Sequence, residues 1–211
     1  MIGMGILETL YMIFVSTFIS YLIGLPMGII LVACDNEGIK PLPALHKIID
    51  IYVNITRSIP FIVLLVAVMP VTRFIAGTTV GTNAAIVPLV IGAAPFVARM
   101  IESSLREVSK GVIEASLAMG ASPMQIIFKV LLPEAKPALL MGGAISVVTI
   151  LSYTAMAGFV GGGGLGDIAI RYGYQRFQGD IMLVTVIILV ILVQIFQEIG
   201  MMIVRKTDKR K

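Results

Sequence analysis

Few residues in this chain could carry out chemistry, and their spacing argues against an enzyme. The one histidine, His46, has no neighbouring Cys or His, so a surface histidine is favoured over a metal ligand. Cys34 is the single cysteine, which excludes an internal disulfide and predicts a free thiol. The sequence contains no Ser-His-Asp set, H-E-x-x-H motif or pair of acids within one apolar run. We therefore predict no catalytic residue and no metal site.

The run from Gly161 to Gly166 contains the G-x-G-x-x-G spacing of dinucleotide-binding loops. No strand pattern precedes this run and no βαβ unit surrounds it, so a flexible or tightly turned loop is favoured. A Walker A sequence is also absent, which argues against binding of ATP by this chain in that manner.

The elements that surround these residues are membrane helices. The chain has 211 residues, 58% of them hydrophobic and 13% charged, and its mean hydropathy is +1.01. This is far more apolar side chain than a soluble domain of this size can cover. Runs of about 20 apolar residues are long enough to cross a bilayer as helices. We predict an all-α integral membrane protein with five spans, at about 9–34, 48–70, 84–98, 137–157 and 181–204.

The distribution of basic residues predicts the orientation of these spans, because short cytoplasmic loops collect Lys and Arg. Of the 16 basic residues, 13 lie before span two, between spans three and four, or in the tail, and only Arg73, Arg171 and Arg176 lie on the other side. We expect the N-terminus outside and the C-terminus in the cytoplasm. This placement accounts for the net charge of +4 without nucleic acid as a partner.

Polar residues within the spans indicate where a pathway could lie, because they are costly at bilayer depth. Span four is the richest, and Ser146, Thr149 and Tyr153 share one face of its helix. We predict a translocation pathway along this face, although interhelical hydrogen bonding explains the pattern equally well. The predicted pathway residues are Ser146, Thr149, Ser152, Tyr153 and Met156, the last as an outer gate at the external end of the face.

A second polar stripe precedes Pro60, where Lys47, Asp50, Asn54 and Arg57 recur at helical spacing. We expect this stripe to face the cytosol or a neighbouring helix rather than lipid. Acids and bases are otherwise expected to be nearly absent from the middle of the membrane.

The cytoplasmic loop at about 99–136 is long for a connection between helices, and its punctuation predicts two short helices. Gly120 suits the left-handed position that ends the first helix. Ser122 is a candidate N-cap, Pro123 stands at the first helical position, and Gln125 completes a capping box. We expect Pro133 to end the second helix, and the small residues Ala115, Ser116 and Ala118 to let a partner's surface approach.

At these residues the chain resembles the ABC importer permeases, whose EAA motif is written E-A-A-x3-G-x9-I-x-L-P. Glu114, Ala115, Gly120, Leu132 and Pro133 match this motif at its spacing. Ser116 replaces the third alanine and Val130 replaces the isoleucine, and both changes conserve size. The resemblance covers essentially the whole chain and is strongest to the methionine-uptake permeases. Its supporting stretches are 57–62, 92–99, 118–123, 131–135 and 164–166.

The resemblance implies a type I ABC importer permease formed by a single transmembrane domain, residues 1–211, in the cell inner membrane. In that family the permease is a transport subunit, not an enzyme, and works as a homodimer with two copies of a separate ATPase and an external substrate-binding protein. ATP and Mg are used by the ATPase, and this chain needs no cofactor of its own. The residues implied to couple the permease to the ATPase are Glu114, Ala115, Ser116, Gly120, Ala121, Ser122, Pro123, Leu132 and Pro133.

Methionine, as the L form and also the D form, is the cargo that the resemblance implies, whereas no residue identifies the cargo chemically. Another amino acid or a small polar metabolite fits the same mechanism. An ion-coupled transporter or channel would need ionisable residues within the membrane. A purely structural membrane subunit would leave the polar face of span four unexplained. Membrane lipid is the remaining expected partner.

Overall fold

The computed structural model describes residues 1–207, and within this range every regular element is a helix. The basic residues Lys209, Arg210 and Lys211 of the predicted cytoplasmic tail lie outside the described residues. The helices in chain order are α1 (Ile2–Ala33), α2 (Pro43–Ser58), α3 (Phe61–Ala67), α4 (Met69–Ala76), α5 (Thr82–Arg106), α6 (Lys110–Ala118), α7 (Pro123–Ile126), α8 (Leu132–Glu134), α9 (Lys136–Ala157), α10 (Gly164–Ile168) and α11 (Gly179–Thr207). Two π-helical segments, Ile127–Leu131 and Ala169–Tyr174, follow α7 and α10.

Four of the helices in residues 1–207 are long and apolar enough to cross a membrane. They are α1, α5, α9 with its extension to Val160, and α11. The predicted spans 9–34, 84–98, 137–157 and 181–204 overlap these four helices. The predicted span at 48–70 corresponds to α2, α3 and the start of α4, and α2 meets α3 at a bend of 106°. A fifth crossing therefore requires a broken helix, as expected where Pro60 interrupts the chain.

Helix α5 is the centre of the bundle and the most buried of the long helices. Helix α1 packs along it, and α2, α3 and α4 follow one another along another of its sides. Helix α9 also packs on α5, whereas α11 packs mainly on α9 and leaves most of its apolar surface uncovered. That surface is suited to lipid or to another subunit.

Small residues allow α1 to approach α5 closely. A Cβ atom added to Gly24 would lie 2.9 Å from the carbonyl oxygen of Ala94, and one added to Gly28 would lie 2.7 Å from that of Ala98. Two small residues four positions apart are a typical contact between membrane helices. Pro26, between the two glycines, is exposed and points away from α5.

The structure predicts that Gly28→Ala destabilises the protein, since its new methyl group would also lie 2.7 Å from the side chain of Ile101. Overpacking of this kind costs about 1–3 kcal/mol, and each kcal/mol lowers the melting temperature by about 2–4 °C for a chain of this size. Thermal unfolding in detergent measures the change. Gly3→Ala is the matched control, because nothing lies within 4 Å of a Cβ atom at Gly3. Equal melting temperatures for the two variants would contradict the close packing.

Candidate functional site

The short helix α6 ends in a left-handed turn at Gly120. The φ angle of Gly120 is +79°, a conformation that glycine adopts without steric cost. Its N–H donates to the Leu117 carbonyl at 2.9 Å, and the Ala121 N–H donates to the Ser116 carbonyl at 3.1 Å. This pair of bonds is the Schellman motif, which satisfies the last carbonyls of a helix. The role predicted for Gly120 in the local fold is confirmed.

The next helix begins two residues later with the predicted capping box. The Ser122 N–H donates to Gln125 Oε1 at 2.8 Å, and the Gln125 N–H donates to Ser122 Oγ at 3.4 Å. Pro123 occupies the first turn, where its missing N–H leaves no bond unmade. The two motifs follow each other directly and fix the angle between α6 and α7.

The outer surface of α6 and α7 is unusually apolar for an exposed segment. Leu117 is 47% exposed, Met119 81%, Met124 64% and Phe128 58%. On the other side, Ile126, Ile127 and Leu131 are buried with Leu105 and Val108 from the end of α5. The segment, residues 110–131, is therefore held firmly on its inner side and exposes an apolar surface on its outer side. We call it the docking element after the role that the resemblance implies, and that role stays a prediction.

Two predictions about this segment were wrong. Ser116 does not face a partner, because its side chain is buried and its hydroxyl donates to the Val112 carbonyl at 2.8 Å. Glu114, Ala115 and Ala118 are exposed. Pro133 does not end the second helix. The chain continues from α7 through the π-helical residues Ile127–Leu131 into α8, and it breaks only at Ala135.

The π-helical turn explains why the helix tolerates Pro133. The Leu132 N–H donates to the Ile127 carbonyl, five residues back, so the register of bonds has shifted before the proline. A proline in an ordinary α-helix would clash with the carbonyl four residues earlier. The wider turn relieves this clash and carries the chain on towards α9.

A cluster of charged residues joins α5 to the segments around the docking element. Arg99 forms ion pairs with Asp50 and Glu102 and donates to Asn54 Oδ1 at 2.6 Å. Arg106 lies 3.0 Å from Glu102 and 2.8 Å from Asp35. Because the Glu102 side chain is only 8% exposed, both of its partners are needed to offset the cost of its burial.

The sequence analysis missed this cluster, although Arg99, Glu102 and Arg106 have the spacing of helical ion pairs. The cluster also explains why α5 continues to Arg106, through residues assigned to the loop at 99–136. Two of the four residues in the polar stripe on α2 face a neighbouring helix, because Asp50 and Asn54 bind Arg99 of α5. A neighbouring helix was one of the two alternatives predicted, and the cytosol was the other.

Asp35 provides a titratable part of this cluster, outside the long helices. The Arg106 guanidinium, which donates a hydrogen bond to it, holds the pKa of the Asp35 carboxyl below its ordinary value. Because the pKa is lowered by folding, the ionised carboxylate stabilises the folded state at any pH above the ordinary carboxyl pKa. This stabilisation is lost as the pH falls through the lowered pKa of the folded state. We expect the connection between α1 and α5 to weaken in acid.

The polar residues of α9 satisfy their hydroxyls within their own helix. Ser146 donates to the Gly142 carbonyl at 2.7 Å, Thr149 to Ile145 at 2.9 Å and Ser152 to Val148 at 3.2 Å. Each of these hydroxyls thus donates to a carbonyl of the preceding turn of α9. Ser146 is fully buried, and pathway lining by these residues stays a prediction.

The five predicted pathway residues divide between two faces. The Tyr153 ring stacks on Phe61 of α3, with ring centroids 4.0 Å apart. Ser152 and Met156 instead line a groove of about 530 Å³ beside α11, with Leu189 and Val193. Met156 thus borders this groove, and its role as an outer gate stays a prediction.

The glycine-rich loop is fixed to the first helix. The Gly164 N–H donates to Glu8 Oε2 at 2.7 Å, and the Leu165 N–H donates to Thr9 Oγ1 at 2.9 Å. Gly161, Gly163 and Gly164 have positive φ angles, so the loop is tightly turned, as one of the two readings expected. Glu8 and Thr9 had no signal in the sequence, because their partners are 156 residues away.

The bundle of long apolar helices is that of a multi-pass membrane protein. A model of the family described as the binding-protein-dependent transport system inner membrane component matches residues 21–209. The chain belongs to this family, which consists of transport permeases and not of enzymes. The fold class and the family predicted from the sequence are both confirmed.

Relatives and a solved structure agree with this assignment. The chain is 54% identical over 203 residues to the probable D-methionine transport system permease protein MetI of Vibrio cholerae, covering 96% of this chain and 90% of that protein. It is 53% identical over 154 residues to the D-methionine permease MetI of Escherichia coli, covering 73% and 71%. The structure matches one of the inward-facing conformations of the MetNI methionine ABC transporter with a TM-score of 0.96 and 49% identity, covering 99% and 96%.

The charged cluster predicts that Glu102→Gln destabilises the protein by about 3 kcal/mol, because two arginines then lose a buried counter-ion. Chemical unfolding in detergent, followed by circular dichroism, measures the loss. Glu37→Gln removes the same charge from an ion pair with Lys110 whose side chains are 82% and 80% exposed. This control should unfold as the unchanged protein does. Equal effects of the two substitutions would show that burial of Glu102 does not matter.

Proposed function

We propose that this chain is the membrane-spanning subunit of an ATP-driven importer that carries L- and D-methionine across the cytoplasmic membrane. The observation that carries the choice of cargo is the similarity along 99% of the chain to a methionine ABC transporter. The names of the relatives, which specify D-methionine transport, support the same cargo. The bundle itself would serve another amino acid equally well.

The geometry of α6 and α7 supports their assignment as the coupling element. Ile126 and Leu131 anchor the segment from below, while Leu117 and Met119 are exposed on its outer surface. An apolar groove on a separate ATPase is a suitable partner for that surface. The two caps at Gly120 and Ser122 make the element stiff, so movement of the ATPase would be passed on to α5 and α9.

The complete assembly in this proposal contains two copies of this chain, two ATPase subunits and an external binding protein that delivers methionine. ATP and Mg²⁺ act in the ATPase, and this chain binds no cofactor. The N-terminus lies outside and the docking element lies in the cytoplasm, where 13 of the 16 basic residues are placed by the span assignment. The uncovered surface of α11 is available to lipid or to the second copy.

Uptake by reconstituted vesicles tests this function. Vesicles that contain the permease, the ATPase and the loaded binding protein should accumulate labelled methionine only with ATP and only when the ATPase is present. Excess D-methionine should compete with the labelled L form, whereas glutamine should not. Uptake that continues without the ATPase would overturn the mechanism, and preferential uptake of another amino acid would overturn the cargo.

Gly120→Pro should uncouple ATP hydrolysis from uptake. Proline cannot adopt the φ angle of +79° found at Gly120, and a side chain in this region costs at least about 1–2 kcal/mol. Since 1.4 kcal/mol corresponds to about tenfold, we expect methionine taken up per ATP hydrolysed to fall by about tenfold. Gly111→Ala in the same helix is the control, because only Ser109 Oγ lies near the added methyl group, at 3.6 Å. Coupled uptake by Gly120→Pro would contradict the assignment.

A further inference from the structure

A groove of about 440 Å³ lies beside the first turns of α11. One wall belongs to α11 itself, and the other to the π-helical segment Ala169–Tyr174 and the turn that follows it. A Cβ atom added to Gly173 would lie 2.9 Å from that of Met182, so a glycine is needed where the two walls meet. All of the lining residues are apolar or glycine: Gly173, Phe177, Gly179, Met182, Leu183 and Val186. The groove therefore suits an apolar chain and not a polar ligand.

The groove lies close to one boundary of the membrane. Helix α11 has 29 residues, which at 1.5 Å each extend about 44 Å, whereas the hydrocarbon core is about 30 Å thick. The groove borders only the first turns of this helix, and the rest of the chain leaves most of the apolar surface of α11 uncovered. The groove is therefore placed at the level where the acyl chains of a bilayer meet their headgroups.

Phe177 lines the edge of this groove in an unfavourable conformation. Its φ angle is +56°, and among residues 1–207 it is the one residue other than glycine with a positive φ angle. This conformation is costly for a bulky side chain. The ring is 90% exposed, which is unfavourable in water but favourable at the membrane boundary, where aromatic side chains lie among the headgroups. Strained backbone of this kind is concentrated at functional sites.

Arg176, the residue before Phe177, places a positive charge beside the groove. Its guanidinium carbon lies 4.7 Å from the centre of the Tyr172 ring, and this stacking leaves the N–H groups at the edge of the guanidinium free to donate. Among the residues that the structure describes, no carboxylate lies within 4.0 Å of Arg176, whereas Arg171 pairs with Asp167 at 3.0 Å. A positioned guanidinium without a counter-ion is suited to bind a phosphate group.

We propose that the groove and Arg176 form a binding site for one phospholipid. The phosphate pairs with Arg176, an acyl chain lies along Met182, Leu183 and Val186, and the Phe177 ring covers the chain near the headgroup. Apolar contact and charge pairing are thus placed in the order in which a phospholipid presents its chain and its phosphate. The proposal rests on the proposed function only for the leaflet, which is the outer one in the orientation given above.

Two protein occupants fit the groove less well than a phospholipid. The external binding protein of the proposed assembly works outside the membrane, whereas the groove runs along α11 into it. A second copy of this chain would have to bring a carboxylate to Arg176. At this end of the bundle Glu8 and Asp167 are already engaged within the chain, which leaves Asp180. A phosphate is present in every phospholipid at this depth.

Photo-crosslinking from position 177 tests which of these occupants covers the groove. Benzoylphenylalanine in place of Phe177 keeps an aromatic ring at the position and reacts on irradiation with C–H groups that touch it. In membranes that contain the complete transporter, irradiation should yield permease with the added mass of a phospholipid. A covalent dimer of the permease, or a product with the binding protein, would overturn the assignment.

Labelling by a photoreactive lipid tests the role of the charge. In the purified permease and ATPase complex, phosphatidylglycerol with a diazirine at the end of one acyl chain should label Met182, Leu183 or Val186. Arg176→Gln should lower this labelling by about fivefold, the factor that one basic side chain contributes near an anionic membrane surface. Arg73→Gln removes the same charge from an exposed position on α4 and should be labelled as the unchanged complex is.

Phe177→Gly separates lipid binding from folding. Glycine adopts a positive φ angle without steric cost, so the melting temperature of the lipid-free complex should not fall. Labelling of the groove should fall nevertheless, because the ring that covers the acyl chain is lost. Unchanged labelling of this variant would show that Phe177 has no part in the site.

Two further compounds keep the outcome decisive without any variant. Diacylglycerol with the same photoreactive chain lacks the phosphate and should label the groove about fivefold less. Glycerol 3-phosphate lacks the chains and should not compete with phosphatidylglycerol at an equal concentration. Equal labelling by the two lipids, competition by glycerol 3-phosphate, or unaltered labelling of Arg176→Gln would overturn the site. The proposed function is tested separately, because ATP-driven methionine uptake by the unchanged system confirms it whatever binds in the groove.

Discussion

The close packing of other helices on α5 is the constraint on which the rest of the structure depends. Its middle turns carry Gly92, Ala93, Ala94 and Ala98, and each small side chain leaves room for a neighbour. The glycines of α1 approach the backbone of α5, and Phe61 of α3 fits beside Gly92. In a bilayer, helices gain little from the hydrophobic effect when they associate, so such close contacts supply much of the attraction. Helix α5 can therefore hold several other elements in fixed positions at once.

The charged end of α5 performs a different task from its apolar middle. Glu102 is held between Arg99 and Arg106, and these arginines also hold Asp50 of α2 and Asp35 of the turn after α1. A buried ion pair contributes little net stability compared with apolar packing, but removal of one partner is costly. The cluster thus acts mainly as a positional constraint. It fixes α2 and the end of α1 to the same few turns of α5 that support the docking element.

Local sequence patterns predicted the features that depend on local bonds. The Schellman turn at Gly120 and the capping box at Ser122 involve residues only a few positions apart, so their spacing was sufficient. Ser116 and Pro133 were predicted wrongly, because burial of the first depends on how α6 packs on α7 and the π-helical turn, and tolerance of the second depends on a shifted bond register. The contact of Glu8 with Gly164 spans 156 residues, and no pattern within either segment could reveal it. The bend of 106° between α2 and α3 likewise does not show in a hydropathy window.

The charged cluster and the break between α2 and α3 are joined by a single rigid element. Helix α2 carries Asp50 and Asn54, which bind Arg99, and it carries Arg57 one to two turns further along. Arg57 lies seven residues after Asp50, a rise of about 10 Å along the helix. If Arg99 moves and Asp50 moves with it, the rigid helix would move Arg57 as well. The docking element packs on Leu105 and Val108, just beyond the cluster. Movement of α6 and α7 would therefore reach the cluster first, and the end of α2 at the break would follow it, because α2 is held at Asp50.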